Sequence, residues 1–268
     1  MFALLQTLIL NERNMLVPEE IAAAQLEHPI ILLIEEPELY IHPQLGKLLF
    51  DVLKEFSSSD QVIYSTHSPL FVDAYESEQV ALVSKVSIAD GTKVRTCDSS
   101  AFDGLTEHKV FQGFTRLNPA INELFFARQV MLVEGPEDMI AVTAALKKAG
   151  RIDQRVEEIE WSVIPCGGKQ SIPFFQRVLN AFGIPYGVLH DSDLEDGMTE
   201  EKRNKAVKEN AQIAQLAGAF RVSTYPVRLE SSLGLAEHFR DQYAAHCFFL
   251  DPDNITAEAQ TIIEAAFA

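Results

Sequence analysis

Two groups of carboxylates follow directly after short, strongly apolar runs of this sequence. The apolar run at residues 30–34 ends in Glu35 and Glu36, and the run QVMLV at residues 129–133 ends in Glu134. Apolar runs of this length predict buried strands. Because parallel strands open their carboxyl ends at one edge of a sheet, both groups are expected to face a crevice where ligands bind. Carboxylates at a crevice are the donors that hard divalent cations need, which makes metal-assisted chemistry the first function to consider.

The second group gains members from a later apolar run. The run YGVLH at residues 186–190 ends in Asp191, and Asp193 follows two positions on, so the two share a direction if the strand continues. Asp138 lies one helical turn beyond Glu134 and could reach the same space from the start of a helix. Carboxylates gathered this closely cannot all stay ionised without cations, which predicts one or two Mg²⁺ or Mn²⁺ ions.

A lysine near this second group is a candidate for binding a negatively charged substrate. Lys169 stands in the segment CGGKQSI, directly after a predicted strand. The glycines before it permit close approach of the backbone, and its ammonium could neutralise a phosphate. The plain alternative is an ordinary lysine in a turn.

The elements that must position these residues alternate between strand and helix. Strands are predicted at 29–35, 61–66, 79–85, 129–134, 160–165, 185–191 and 220–226. Helices are predicted at 43–56, 136–149, 170–182 and 199–217. Such alternation predicts an α/β fold with a largely parallel sheet. A stretch rich in turn formers divides the chain into a first domain at 1–97, a linker at 98–128 and a second domain at 129–268.

The composition restricts the classes of protein to which the chain can belong. The 268 residues are 47% hydrophobic and 23% charged, which is ordinary for a globular protein and excludes general disorder. No apolar run approaches the ~20 residues of a membrane span. The net charge of −17 repels nucleic acid in bulk, so contact with DNA would require bound cations or a local basic patch. Three widely spaced cysteines fit a reducing cytoplasm.

The first acidic group stands in a pattern known from ATPases. The segments EEPELYIHPQ and YSTHSP resemble the Walker B and D-loop region and the switch histidine of ABC-type ATPases, above all those of the overcoming-lysogenization-defect (OLD) and SMC-like proteins. The resemblance implies that Glu35 binds Mg²⁺, Glu36 is the catalytic carboxylate and His67 senses the γ-phosphate. The sequence contains neither a GxxxxGK[ST] loop nor an LSGGQ-type signature, which lie upstream in this family. ATP is therefore expected as a cofactor only if that upstream part is supplied.

The second group also stands in a known pattern. The segment LVEGPED followed by LHDSD resembles the Toprim domain of topoisomerases, primases and OLD-family nucleases, and the order of the two patterns resembles OLD proteins. The resemblance implies that the chain consists of the C-terminal lobe of an ABC-type ATPase followed by a Rossmann-like Toprim domain. It also implies two-metal cleavage of DNA with Glu134, Asp191 and Asp193 as ligands and Lys169 at the reacting phosphate. Asp138 would hold the second metal, and Glu230 fits a later acid of the family, although it could equally be an acid at a helix start.

Other functions remain open at this stage. A non-catalytic regulatory or binding module would combine a degenerate ATPase half with a vestigial acidic site. A HAD-type phosphatase also carries a DxD pattern, but Glu195 occupies a position where that family needs Thr or Val. The sequence supports a topoisomerase or primase function less well than a nuclease function. The family resemblance further implies a homodimer, a helicase-like or upstream ATPase partner, and a role in phage defence or DNA repair.

Overall fold

The computed structural model describes residues 31–58, 60–72, 74–85, 88–89, 91–105 and 121–267. The chain divides into two compact units, Met1–Asp73 and Ala74–Ala268. The first part of the predicted ATPase domain, residues 1–30, and much of the predicted linker lie outside the described residues. Among the described residues, none of the helices is both long and apolar enough to cross a bilayer.

In its described residues, 31–58 and 60–72, the first unit holds two parallel strands and one α-helix. Strand β1 (Ile31–Glu35) pairs with β2 (Gln61–Ser65) so that Glu35 stands opposite Ser65. Helix α1 (Pro43–Ser57) connects them, as a parallel pair requires. The helix begins after His42 with a proline in its first turn, a position where the missing N–H costs nothing. Its apolar face packs Leu49 and Leu53 against Phe71, and this small core fixes the two strand ends side by side.

The second unit is built on a four-stranded parallel sheet in the order β6-β5-β7-β8. Its strands are β5 (Gln129–Val133), β6 (Trp161–Pro165), β7 (Tyr186–Asp191) and β8 (Arg221–Tyr225). The α-helices in the described part of this unit are α2 (Pro136–Lys148), α3 (Ile172–Phe182), α4 (Glu200–Ala217), α5 (Leu229–Ser232), α6 (Gln242–Phe249) and α7 (Ala257–Ala266). The predicted α/β class and the seven predicted strands are confirmed, each to within about two residues at its ends.

The central strands β5 and β7 are buried on both faces. Met131 and Val133 pack into a core that includes side chains of α2, α6 and α7. The alternating residues Val130 and Leu132 point to the opposite face of the sheet and are also fully buried. A parallel sheet covered on both sides needs strands that are apolar throughout, which explains the unbroken run QVMLV.

A small antiparallel hairpin also belongs to the second unit. Strand β3 (Ala81–Ser84) pairs with β4 (Lys93–Thr96), which sequence reasoning missed because KVRT is polar and exposed. Arg95 of β4 donates hydrogen bonds from Nη1 to the carbonyls of Phe182, at 3.2 Å, and Gly183, at 2.7 Å. These bonds connect the hairpin to the end of α3. The domain boundary near residue 97 stays a prediction.

Candidate active site

The ends of β5 and β7 meet through a hydrogen bond between Glu134 and Asp191. Glu134 follows β5 directly, and its Oε1 accepts the backbone N–H of Asp191 at 2.8 Å. Burial raises the pKa of Glu134, and the nearby carboxylate of Asp193 adds to the rise. The predicted convergence of these two strand ends at one sheet edge is therefore present in the structure.

Asp191 and Asp193 do not share a direction, because β7 ends at Asp191. Asp193 has a φ of 57°, and its backbone N–H donates to the carbonyl of Val227 at 3.0 Å. Asp191 instead turns its Oδ1 to the backbone N–H of Leu229, at 2.9 Å. The condition for a shared direction, a strand that continues to Asp193, is not met, since the chain turns here to bond with the segment after β8.

Lys169 lies within this edge rather than on the surface. Its ammonium donates to the backbone carbonyl of Asp191 at 2.6 Å and to Oδ2 of Asp193 at 2.9 Å. The Lys169 side chain is only 5% exposed, whereas that of Asp193 is 51% exposed. A buried ammonium needs such partners because an unpaired charge away from water is costly.

Asp138 and Glu230 are both buried near the strand ends. Asp138 occupies the first turn of α2 and accepts the backbone N–H of Gly135 at 2.9 Å. Glu230 in α5 accepts the backbone N–H of Phe239 at 3.1 Å. Burial raises the pKa of Asp138 to about 7, and the charges of Glu134 and Glu230 contribute to the same rise.

The strongest electrostatic effect at this edge falls on Asp191. Burial, followed by the charges of Glu134 and Asp138, raises the pKa of Asp191 to about 8. Burial likewise lowers the pKa of the neighbouring His190 to about 4, so this histidine is neutral at pH 7. Carboxylates that resist ionisation in this way are crowded by like charge and short of solvent, as a cation site without its cation would be.

Sequence reasoning missed Tyr225, which ends β8 opposite Asp191. Its side chain is fully buried, and its hydroxyl has no hydrogen-bond partner. The charges of Asp138, Asp191 and Glu230 all act on it, and its pKa lies well above the usual value, first of all because of burial. Tyr225 can be identified only from the strand register, because β8 is paired so that this residue lies opposite Asp191.

The donors at this edge suit Mg²⁺ or Mn²⁺, but they are not yet gathered around one point. In the described part of the chain, no three acidic, histidine or cysteine side chains already form a metal-binding group. The chemistry of the donors fits nevertheless. Buried carboxylates with raised pKa values and an unpartnered buried hydroxyl are groups that a hard cation would stabilise.

The acidic tip of the first unit is organised by the end of β2. Glu36, with a φ of 46°, approaches His67: its Oε1 lies 3.3 Å from Nε2 of that ring, and its Oε2 accepts the His67 backbone N–H at 3.2 Å. Glu38 accepts hydrogen bonds from the Thr66 hydroxyl at 2.6 Å and from the His67 N–H at 2.9 Å. Glu35 is exposed at the end of β1. Glu36 and His67 therefore lie side by side at this tip.

Fold and strand-end acids together define a protein that joins part of an ATPase domain to a Toprim domain. Residues 11–72 match the family of AAA ATPase domains. Residues 125–193 match the family described as overcoming lysogenization defect protein-like, Toprim domain. Over these two regions the chain is similar to proteins of the OLD family. The second match contains Glu134, Asp138, Lys169, Asp191 and Asp193, whereas Glu230 lies beyond it.

Individual relatives agree with this similarity. The OLD nuclease of Thermus scotoductus is 36% identical over 228 residues, which are 79% of this chain and 42% of that protein. The Old nuclease of Escherichia phage P2 is 30% identical over 167 residues, 61% of this chain and 28% of that protein. Endonuclease GajA of Bacillus cereus is 28% identical over 165 residues, 62% of this chain and 26% of that protein. The chain thus spans less than half the length of each relative.

Proposed function

We propose that this chain is a metal-dependent DNA endonuclease with its active site at the carboxyl edge of the second unit. One observation carries the proposal: the contact between Glu134 and Asp191, with Asp138 close enough to raise the pKa of Asp191. Such a cluster of buried and half-buried acids with raised pKa values at a ligand-binding edge is typical of a functional site. Similarity to OLD-family proteins makes phosphodiester cleavage the reaction to test.

The proposal assigns a task to each of the acids and to the lysine at this edge. Glu134, Asp191 and Asp193 hold the first Mg²⁺ or Mn²⁺, and Asp138 and Glu230 hold the second. Ions held by these residues would supply Lewis-acid catalysis of phosphodiester cleavage. Lys169 then offsets negative charge on the phosphate with its ammonium. Its bonds to the Asp191 carbonyl and to Asp193 keep that ammonium at the edge.

The first unit has a separate role in the proposal. Glu35 and Glu36 hold the Mg²⁺ and the attacking water of ATP hydrolysis, and His67 senses the γ-phosphate. The contacts between Glu36 and His67 support a shared task. Because the sequence has no phosphate-binding loop, we propose that ATP acts only when an upstream part or an ATPase partner supplies one.

The biological setting belongs to the same proposal. We infer a cytoplasmic protein, because Cys97, Cys166 and Cys247 form no disulfide in the described structure. DNA as the substrate, a homodimer, a helicase-like or ATPase partner, and a role in phage defence or DNA repair follow from the family alone.

Nicking of supercoiled plasmid tests the nuclease. We expect cleavage with Mn²⁺ or Mg²⁺, none with EDTA, and no change when ATP is added to this chain alone. D191N should lower the rate about a hundredfold or more, the scale of losing one electrostatic partner in a site. D51N removes an exposed carboxylate from α1 and serves as the matched control. Absence of metal-dependent cleavage by the unmodified chain, or equal rates for D191N and D51N, would refute the proposal.

The rival function, a non-catalytic binding module, is favoured by one observation. The described residues contain no preformed group of three metal-binding side chains. Calorimetric titration with Mn²⁺ separates the two functions. Binding that D191N abolishes supports the nuclease, whereas absence of binding supports the module.

A further inference from the structure

An open hollow lies beside the carboxylate edge of the second unit. Its volume is about 340 Å³. Among the residues that line it are Gly168, Lys169, Ser171, Asp193, Lys205 and Glu209. Lys169 and Asp193 also belong to the proposed nuclease site, so the hollow is continuous with that site. Lys205 and Glu209 come from α4 and have no task in the proposed cleavage.

Bare backbone forms part of the wall. Gly168 has a φ of 113°, a conformation that strains any residue with a side chain. A Cβ built on Gly168 would meet no atom within 4 Å, so the space beside it is open. Sites that admit a phosphate commonly use glycine in this way, because the group can then approach the main chain closely.

Two ammonium groups face this hollow, and each is held by a carboxylate. The Lys169 ammonium lies 2.9 Å from Oδ2 of Asp193. The Lys205 ammonium lies 3.8 Å from Oε1 of Glu209, one helical turn along α4, and the Lys205 side chain is 64% exposed. An exposed pair at this distance is weak, so an anion of higher charge can displace the carboxylate.

Near the hollow, α4 contains a short basic segment between Glu201 and Glu209, although the chain as a whole is acidic. Residues 202–208, KRNKAVK, hold four basic residues and no acidic one in a chain of net charge −17. Lys202, Arg203, Lys205 and Lys208 are all exposed. A local concentration of basic residues helps an acidic protein to hold a polyanion.

We propose that the hollow binds a backbone phosphate of the DNA strand, next to the phosphate that is cleaved. Lys205 is the positioning residue that contacts this phosphate, and Glu209 competes with the phosphate for the Lys205 ammonium. The exposed basic residues of α4 near Lys205 add to the attraction for the strand. This inference rests on the proposed nuclease function, since it takes DNA as the ligand.

Binding in EDTA tests the inference without any cleavage. Anisotropy of a short fluorescent single-stranded oligonucleotide is measured for the full chain over a series of salt concentrations. For K205Q we expect the Kd to rise about three- to tenfold and the salt slope to fall by about 0.7, the value for one lost phosphate contact on a single strand. E209Q removes the competing carboxylate and should tighten binding. K147Q removes an exposed lysine of α2 that does not line the hollow and is the matched control.

A second probe separates DNA from free phosphate. Inorganic phosphate is titrated against the labelled complex and against the unliganded chain. The inference is overturned if the chain binds no oligonucleotide, if K205Q and K147Q bind equally, or if K205Q weakens inorganic phosphate but leaves DNA unaffected. If the unmodified chain nicks plasmid but K205Q does not change DNA binding, the hollow is not a phosphate-binding site, while the nuclease function is supported. If DNA binding depends on Lys205 but the unmodified chain does not nick plasmid, the nuclease function is refuted, while phosphate binding in the hollow is supported.

Discussion

The acids that follow β1 and those that follow β5 and β7 stand in similar sequence contexts but in different environments. At the first tip, burial of Glu38 would raise its pKa, but hydrogen bonds from Thr66 and His67 outweigh burial and hold the pKa below its usual value. At the second tip, burial and neighbouring carboxylates raise the pKa of Asp138 to about 7 and that of Asp191 to about 8. The surroundings of Glu38 therefore favour its ionised form, even though its Oε2 has no hydrogen-bond partner, whereas those of Asp138 and Asp191 disfavour ionisation.

The opposite pKa shifts at the two tips are explained by how fully the strands of each sheet are buried. In β1, every second residue is exposed, and Leu33 remains 70% exposed. In β5, Val130 and Met131 are fully buried, because helices cover both faces of that sheet. Carboxylates at the end of a covered sheet lose water and then repel one another more strongly. An acid after an apolar strand therefore indicates a ligand-binding edge, but burial decides whether it needs a cation.

The largest effect should be a loss of metal-free stability as pH rises from 6.5 to 8. Raised carboxyl pKa values mean that the folded chain holds protons that the unfolded chain has already released, so stability falls with pH through this window. His190 does not interfere, since its lowered pKa affects stability only below its unfolded value of about 6.5. We expect a loss of about 2 kcal/mol in urea unfolding with EDTA. Mn²⁺ at pH 8 should restore the lost stability. A free energy of unfolding that does not change between pH 6.5 and 8 would contradict the described difference between the two acidic tips.

Neutralising one acid at each tip should change stability in opposite directions. E38Q weakens hydrogen bonds from Thr66 and His67 to a charged acceptor and should destabilise the chain by about 1 kcal/mol. D191N relieves repulsion with Glu134 and Asp138 and should stabilise the metal-free chain at pH 8 by about the same amount. Thermal unfolding in EDTA measures both. Shifts of the same sign would show that the two tips do not differ as described.

The smallest effect concerns the hairpin that stands between the two tips in the sequence. R95Q removes the hydrogen bonds to the carbonyls of Phe182 and Gly183 and should cost about 0.5–1 kcal/mol. Hydrogen exchange in β3 and β4 should become faster, whereas K93Q on the same strand should leave it unchanged. If R95Q leaves the hairpin amides equally protected, the attachment of the hairpin to the second unit does not depend on this side chain.

The sequence predicted those features that depend on local pattern. Apolar runs located β5 and β7, and the acids after them located the candidate edge, since a parallel sheet brings strand ends together. Strand β4 escaped because KVRT carries no apolar alternation. Its pairing depends on contacts with residues far along the chain, which no local pattern reveals.

By itself, the sequence determined the two acidic tips, the α/β class and the residue types that suit a divalent cation. Only the tertiary structure decided that Asp193 turns away from Asp191 to meet a buried Lys169, and that Tyr225 lies among the acids without a partner. It alone also set the hollow beside Lys205. The physical reason is that residue type and spacing are local, whereas burial and charge–charge repulsion depend on which distant segments share the same few ångströms.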